Sequence, residues 1–411
     1  FSGQQSQSVE VINNMLSNAL AAIDHTMAVN ERSDGLYNAY NLISFEQQSA
    51  QVDTLYPMLE GQVAALSSGT LSSEQSIKVF ESLFASTVYR QDQQSFLLYP
   101  ERKLPSFLEK NVIASDDVYG STILRKMLTL DDRQIIEKDS NGAFRFNAEF
   151  KNVNDLIATI DALEGRYGDE IIAEKEALIA IYESVFNHQQ FTGRSGGMFG
   201  FEGLGCIYWH MVSKLLLAAE EVFFKAVENN EDAEVCHQLA NYYYRVREGL
   251  SFNKTPKEYG AFPTDPYSHT PKHAGAQQPG MTGQVKEEIL TRFAEFGIRV
   301  NNGSVSFSPY LLRQCEFLTD SSEFRYLDVH SEWKTIGLSA KQLAFTWCQI
   351  PFVYNLTEDN AAPVTVKFKD GSTQVIDSLA LTTDLSADVF EKNGNISQIT
   401  INVSPAKLHG E

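Results

Sequence analysis

The spacing of apolar residues changes near residue 298, and this change constrains the fold more than any other feature of the chain. Before it, apolar residues recur every three or four positions, as in "SVEVINNMLSNALAAIDHTMAV" (8–29), which is typical of amphipathic helices. After it, apolar and polar residues alternate, as in "PVTVKFKDGSTQVID" (363–377), which is typical of strands. The sequence therefore predicts a mainly α fold, with a helical domain over residues 1–298 and a smaller antiparallel β domain over 299–411.

The helical segments differ in what their sequences predict. "SSEQSIKVFESLFAST" (72–87) begins with a serine cap, and "DEIIAEKEALIAIYESVFNH" (169–188) reads as one long helix. "CIYWHMVSKLLLAAEEVFFKAV" (206–227) is apolar nearly all round, which predicts burial on both sides. Many antiparallel helices joined by functional loops indicate a toroid-like helical domain or a helix bundle. In the β domain, Asp370-Gly371 between alternating runs predicts a hairpin turn.

Composition excludes several classes of protein. The 411 residues carry a formal net charge of -20, which argues against a nucleic-acid partner because binding to phosphates requires clustered Lys and Arg. No run of eighteen apolar residues is present, so no membrane partner is expected. The cysteines lie far apart without CxxC spacing, and the sequence predicts buried free thiols rather than disulfides or a zinc site: Cys206, Cys236, Cys315 and Cys348.

Residues 251–283 form a long proline-rich stretch that ends where a helix is predicted to begin. Long irregular segments within a compact domain are usually binding or active-site loops. Polar side chains here suit a sugar or an anion: Asp265, Tyr267, His269, His273, Gln277 and Gln278. Thr282 and Gly283 directly precede the helix, whose free N–H groups and dipole would attract phosphate. The alternative is that Thr282 only caps its own helix.

A glycine-rich stretch, "GRSGGMFGFEGLGC" (193–206), precedes the most apolar helix. Glycines at this density predict a loop that lies close to a ligand or to another backbone segment. Glu202 lies among apolar neighbours, where burial would raise the pKa of its carboxyl and suit it to act as a base or a sugar ligand. The alternative is a loop tip with a solvated glutamate.

Asp34 is the third candidate, in "NERSDGLYNAYNLI" (30–43) after the first long helix. Its carboxyl could serve as a general acid, but Asp-Gly is also a common turn pair in which the Asp side chain bonds to its own backbone. His269 and His273 are four residues apart within the proline-rich stretch, which is a weak basis for a metal site, and no metal is predicted.

Two of these segments resemble motifs of the cellobiose and chitobiose phosphorylase family. "RSGGMFGFE" (194–202) is similar to the family's "ENGGQYTHA", and "PGMTGQVK" (279–286) is similar to its "WYTGSAGW". The resemblance implies an (α/α)6 barrel, inverting phosphorolysis of β-linked disaccharides, and phosphate contacts from Thr282 and Gly283. Asp34 would match the family's general acid. Phe201 replaces the family's phosphate-binding histidine, and Arg194, counted among the substrate-binding residues, replaces a glutamate, so hydrolysis also remains open.

We therefore expect a carbohydrate-active protein that cleaves a β-glycosidic bond with inversion, with Asp34 and Glu202 as its catalytic residues. An oligosaccharide would be the substrate, inorganic phosphate a possible co-substrate, and no other cofactor is expected. A phosphorylase would be cytoplasmic, and a hydrolase periplasmic or secreted. The resemblance also implies that the chain is the C-terminal portion of a longer polypeptide, whose N-terminal part would be a partner. The alternative function is a non-catalytic carbohydrate-binding or scaffold protein on the same fold.

Overall fold

The structure is a computed structural model that describes residues 6–45, 48–100, 105–187, 207–250, 255, 269–270, 284–358 and 363–410. For residues 208, 269–270 and 284–288 it describes the backbone alone. The chain divides into two compact units, one of residues 1–101 with 203–411 and the other of residues 102–202. The second unit is therefore an insertion within the sequence of the first. The predicted boundary at 298 falls within the first unit, where it marks the change from helices to strands.

The N-terminal part of the first unit contains three helices and two short hairpins. Their bounds are α1 Val9–Val29, β1 Asn41–Phe45, β2 Ala50–Thr54, α2 Leu59–Ser67, α3 Ser73–Ala85, β3 Tyr89–Arg90 and β4 Ser95–Phe96. The predicted serine cap is present, since Ser72 Oγ accepts the Gln75 N–H and the Gln75 side chain accepts the Ser72 N–H. Helix α1 forms as predicted, but none of its residues is buried.

The inserted unit has its own hydrophobic core. Its elements are α4 Phe107–Lys110, α5 Ser115–Gly120, α6 Thr122–Thr129, β5 Ile136–Lys138, β6 Phe144–Phe146, α7 Val153–Tyr167, α8 Asp169–Ala173 and α9 Lys175–Phe186. The core joins Ile123, Phe146, Ile160 and Tyr182 with their neighbours. The prediction of one long helix from residue 169 is wrong, because the helix is interrupted at Glu174, between α8 and α9. The Glu174 carboxylate accepts the Thr122 and Ile123 N–H groups and so caps α6.

The first unit resumes with the longest buried helix. The next elements are β7 Ile207–Tyr208, α10 Trp209–Glu228, α11 Ala233–Glu248, β8 His269–Thr270 and α12 Gln284–Glu295. Burial of α10 on both sides is confirmed, since thirteen of its residues are buried, among them Trp209, Leu216 and Phe223. After α12, Gly297 turns the chain with φ +70°, and a Cβ there would lie 2.2 Å from the Ser308 carbonyl carbon.

The C-terminal part is built mainly from strands. Their bounds are β9 Ile298–Asn301, β10 Ser304–Phe307, β11 Ser322–Leu327, β12 Trp333–Leu338, β13 Gln342–Trp347, β14 Ile350–Leu356, β15 Val364–Phe368, β16 Thr373–Ile376 and β17 Ile396–Val403, with helix α13 Thr383–Glu391. Five of them form a sheet in the order β13-β14-β17-β15-β16. The hairpin at Asp370-Gly371 is confirmed by the antiparallel pairing of β15 with β16.

Two expectations about this region and the cysteines need correction. The sheet is not wholly antiparallel, because β14 and β17 pair in parallel, joined by a connection that contains β15, β16 and α13. The cysteines are free but not buried: Cys315 is exposed, and Cys236 and Cys348 are half-buried, while Cys206 lies outside the described residues. Cys236 is on the first turn of α11, and Cys348 is in the β13–β14 turn. Their neighbours in sequence are apolar, but their positions at a helix start and in a turn leave both side chains partly exposed. Helices hold 45% of the residues and strands 23%, and a closed barrel is not shown in the described part of the chain.

Candidate functional site

Helices α2 and α10 run in the same direction, and α12 ends near the middle of α10. Lys225 of α10 donates to the Leu71 carbonyl oxygen, just after α2, at 3.2 Å. Arg299, four residues after α12, pairs with Glu228 at the end of α10 at 3.0 Å. Glu295, the last residue of α12, is close enough to Glu220 to raise the pKa of its carboxyl. Helices α2 and α10 therefore end at one side of the helical layer.

Their starting ends lie together at the opposite side. The Leu59 N–H, at the start of α2, donates to the Leu98 carbonyl oxygen at 2.7 Å. Leu97 forms a backbone bridge with Ile207, two residues before α10.

The strands β7 and β8 connect the two predicted site segments to this end. They pair antiparallel, with Ile207 opposite Thr270 and Tyr208 opposite His269. Strand β7 directly follows the glycine-rich stretch 193–206, and strand β8 lies within the long stretch 251–283. The ladder therefore pairs the two residues directly after the glycine-rich stretch with two residues of the long stretch, beside the N-terminus of α10.

Most of the predicted site residues lie outside the described residues. These are Arg194, Glu202, Asp265, Tyr267, His273, Gln277, Gln278, Thr282 and Gly283. Only the backbone of His269 is described, in β8. The predicted helix after Thr282-Gly283 does begin at Gln284, so these two residues directly precede a helix N-terminus.

Asp34, the remaining candidate, lies in a tight turn after α1. Its carboxylate accepts the Arg32 Nε and Nη2 groups at 3.2 and 3.0 Å and the Leu36 N–H at 3.1 Å. Arg32 also donates to the Leu55 carbonyl oxygen at 3.4 Å, shortly before α2 begins. Partial burial would raise the pKa of Asp34, but the bonds from Arg32 and Leu36 outweigh it and lower the pKa. The turn thus lies near the starting end of α2, and its carboxyl is held ionised.

A buried ionic cluster fixes the end of α12 against α11. Glu295 is 1% exposed and accepts the Tyr243 hydroxyl at 2.6 Å and the Arg247 Nε at 2.9 Å. Arg292 binds the second oxygen of Glu295 and also pairs with Glu316 at 2.5 Å. Burial would lower the pKa of Arg292, but the bonds to Glu316 and Glu295 raise it. Sequence reasoning did not single out this cluster, because its members come from three separate segments.

Glu220 is a second buried carboxyl of the helical layer. It is 7% exposed on α10, and its Oε2 has no hydrogen-bond partner among the described residues. Burial raises the pKa of Glu220 to about 8, against the attraction of Arg299. The side chain is therefore neutral at pH 7. Its place in the apolar run "KLLLAAEEVFF" was the only signal in the sequence.

The inserted unit contains an open cleft of about 460 Å³ between its helices and its β hairpin. Tyr119, Arg125, Asp132, Lys138 and Phe144 line it together with their neighbours. Asp132 accepts the Tyr167 hydroxyl at 2.7 Å and pairs with Arg166 at 2.8 Å. Burial and the neighbouring carboxylate of Asp132 raise the pKa of Tyr167 to about 12. No residue of this cleft was predicted as a site.

The comparison with protein families gives one match, and it falls on the inserted unit. Residues 104–189 match the family model of GH149 phosphorylase insertion domain 2. The match relates the chain to glycoside phosphorylases of glycoside hydrolase family 149 and so to carbohydrate-active proteins. It does not support the cellobiose and chitobiose phosphorylases in particular. No curated protein matches the chain.

Metal-ligand groups and membrane-spanning helices are both absent from the part of the chain that the structure describes. There, no three His, Cys, Asp or Glu side chains are grouped so that they could hold a metal ion. None of its helices has both the length and the apolar character needed to cross a membrane.

Proposed function

We propose that the chain carries the active site of a glycoside phosphorylase that cleaves a β-glycosidic bond with inversion. The observation that carries this proposal is the match of residues 104–189 to an insertion domain of GH149 phosphorylases. The arrangement of the first unit supports it, because the starts of α2 and α10 and the β7–β8 ladder lie at one end. The glycine-rich stretch directly precedes β7, and Thr282-Gly283 directly precede α12 in the sequence.

In the proposed reaction, inorganic phosphate is the nucleophile. A phosphate oxygen attacks the anomeric carbon, the bond to the glycosidic oxygen breaks, and an acid donates a proton to that oxygen. Thr282 and Gly283 would hold the phosphate at the start of α12, where free N–H groups and the helix dipole favour an anion. Asp34 would be the acid and Glu202 a sugar ligand or base. The other substrate contacts would come from the predicted residues: Arg194, Asp265, Tyr267, His269, His273, Gln277 and Gln278.

The ion pair of Asp34 with Arg32 favours a second candidate function. A general acid must carry a proton, and the bonds from Arg32 lower the pKa of the Asp34 carboxyl. If Asp34 serves only its turn, the same surface could belong to a non-catalytic carbohydrate-binding or scaffold protein. Replacement of Asp34 by Asn distinguishes the catalytic function from the non-catalytic one. A loss of turnover of roughly a thousandfold is expected only if Asp34 is the catalytic acid.

The apolar face of α1 supports a proposal about partners. Leu16, Leu20 and Ile23 are exposed in the described structure, and β1–β2 also exposes Phe45 and Val52. Exposed apolar surface of this extent marks an interaction site. We propose that this surface packs against an N-terminal part of the same polypeptide. The assembled phosphorylase would act in the cytoplasm on oligosaccharides, with phosphate as its only co-substrate.

The first experiment is a calorimetric titration of phosphate into the wild type and Thr282→Ala. Thr382→Ala is the matched control, since Thr382 caps α13 by accepting the Leu385 N–H at 3.4 Å and is far from Thr282 in the chain. We expect phosphate affinity to fall at least tenfold in Thr282→Ala and to be unchanged in Thr382→Ala, roughly the effect of losing one charge-assisted hydrogen bond.

The second step adds cello-, laminari- and chito-oligosaccharides with and without phosphate and measures release of sugar phosphate. Phosphate-dependent cleavage supports a phosphorylase. Cleavage without phosphate would instead indicate a hydrolase, which would act in the periplasm or outside the cell. Sugar binding without cleavage would favour the non-catalytic alternative, and binding of neither phosphate nor sugar would contradict the proposal.

A further inference from the structure

The segment that follows β17 crosses from the five-stranded sheet to the helical layer of the same unit. It comprises the short 3-10 helix Pro405–Lys407, Leu408 and His409, and we name these residues the C-terminal strap. Leu408 packs against the core of the sheet. His409 forms a parallel backbone bridge with Arg313, and its N–H donates to the Leu312 carbonyl oxygen at 2.9 Å.

The far end of the strap is held by a ring stack on α11. The imidazole of His409 lies parallel to the Tyr244 ring, with centroids 5.0 Å apart and an angle of 7° between the planes. Tyr244 is buried, and its hydroxyl donates to the Leu311 carbonyl oxygen. The stack therefore connects a fixed aromatic ring on the helical layer to a half-buried histidine on the strap.

The ionisable groups that act on His409 are the basic side chains His237 and Arg313, whereas Tyr244 also lies near Arg247 and the carboxylates of Glu295 and Glu316. The His237 ring of α11 lies 5.7 Å from the His409 ring, and the Arg313 guanidinium lies 4.7 Å from the centre of the Tyr244 ring. Glu316 approaches Arg313 only at 4.0 Å and is bound to Arg292. The remaining ionisable groups of the adjoining cleft, which has a volume of about 440 Å³, are Glu231 and Cys236 of the α10–α11 turn region, Tyr310, and Lys407 of the strap itself.

We propose that the C-terminal strap is a pH-sensitive clamp, closed on Tyr244 while His409 is neutral and released when the His409 imidazole takes up a proton. Protonation places an imidazolium beside Arg313 and His237, and the one carboxylate near Arg313 is already bound to Arg292. The resulting repulsion acts on the contact that joins the strap to α11. Release would expose Tyr244 and open the cleft beneath Leu408.

The pH range follows from the state of the histidine. Burial, His237 and Arg313 all lower the pKa of His409 from its usual 6.5. The folded protein therefore resists protonation of this group more than the unfolded chain does. The clamp has its full stability above pH 6.5 and loses it progressively as the pH falls below that value.

The test is hydrogen exchange of the backbone amides in the strap, measured by mass spectrometry on the full chain from pH 8 to pH 5.5 and corrected for intrinsic exchange rates. We expect protection of the His409 amide to fall about tenfold over this range, because the open state takes up a proton more readily than the closed state. His409→Phe keeps an aromatic ring on Tyr244 but cannot take up a proton, so its protection should not change with pH.

Two further variants keep the result interpretable. His409→Gln should lower protection at every pH, since it removes both the stack and the titration. A circular dichroism spectrum of His409→Phe shows whether that variant has folded normally. His25→Gln, on the exposed helix α1, is the matched control and should behave as the wild type. Constant protection in the wild type, or an equal loss in His409→Phe, would overturn the proposal. Neither result depends on phosphate or sugar binding.

Discussion

Helices α1 and α10 have similar lengths, 21 and 20 residues, and both were predicted from apolar residues at helical spacing. Thirteen residues of α10 are buried against α2, α11 and α12, whereas α1 has no buried residue in the described structure. Leu216 of α10 is 1% exposed, and Leu20 of α1 is 62% exposed. The same periodicity therefore specifies a helix in both regions, but burial also requires a neighbouring surface, which only α10 has here.

The largest expected effect concerns charge in the two regions. Glu295→Ala leaves Arg247 and Arg292 without their buried carboxylate, and we expect the free energy of unfolding to fall by about 3–5 kcal/mol. Glu31→Ala, beside α1, removes an exposed pair with Lys78 at 3.4 Å and should cost about 0.5 kcal/mol or less. Urea denaturation measures both values, and equal losses would contradict the contrast between the regions.

The next effect concerns apolar packing in the two helices. Leu216→Ala should lower the free energy of unfolding by about 3 kcal/mol, because it removes buried methyl groups and leaves a cavity. Leu20→Ala should change it by less than about 1 kcal/mol, because the side chain is already in water. If Leu20→Ala lowers the free energy of unfolding as much as Leu216→Ala does, then Leu20 is buried in solution. The exposed apolar face of α1 is then covered by another part of this chain or by a second copy of it.

The smallest expected effect is the pH dependence of stability that comes from Glu220 of α10. Glu220 stays protonated in the folded protein up to about pH 8, whereas in the unfolded chain it ionises near its usual value of 4.5. Ionisation therefore favours unfolding, so the stability linked to this group is full below pH 4.5 and is lost as the pH rises towards 8. Glu220→Gln cannot ionise and should gain about 2 kcal/mol over the wild type between pH 5 and pH 6.5, at about 1.4 kcal/mol per pH unit.

Thermal denaturation at several pH values checks the Glu220 prediction. Glu10→Gln is the control, because Glu10 is an exposed carboxylate of α1 and lies outside the surroundings of Glu220. Its stability should follow the wild type at every pH. A Glu220 variant with the same pH dependence as the wild type would show that the Glu220 carboxyl is ionised or solvated in the folded protein.

Local signals in the sequence were sufficient for much of the fold. The Ser72 cap, the Asp370-Gly371 hairpin and the start of α12 after Gly283 depend on neighbouring residues only, and the structure has all three. The break at Glu174 was missed because its cause is a tertiary contact, the capping of α6 from fifty residues away. The inserted unit was missed for a similar reason, since its helices have the same period as those that flank it.

The candidate site was predictable only in part. Glycine density and the Thr-Gly pair indicated two segments, most of whose residues lie outside the described structure. The β7–β8 ladder pairs Ile207 and Tyr208, just after the first segment, with Thr270 and His269 of the second. Glu220 and Glu295 were not predicted, because a carboxylate in a helical sequence is usually solvated, and only the packing of α10, α11 and α12 shows that these two are buried. The roles assigned to Asp34, Glu202 and Thr282 remain predictions.

The bridge between Leu97 and Ile207 has a consequence for how the chain folds. It closes a loop of more than one hundred residues, and the entropy lost in closing an unstructured loop rises with the logarithm of its length. Residues 105–187 within this loop have their own core, so much of their conformational freedom is lost when that core forms rather than when the bridge closes. Folding of the insertion before the bridge would therefore accelerate assembly of α2 with α10, and a mutation in the Ile160 core would slow it at a distance.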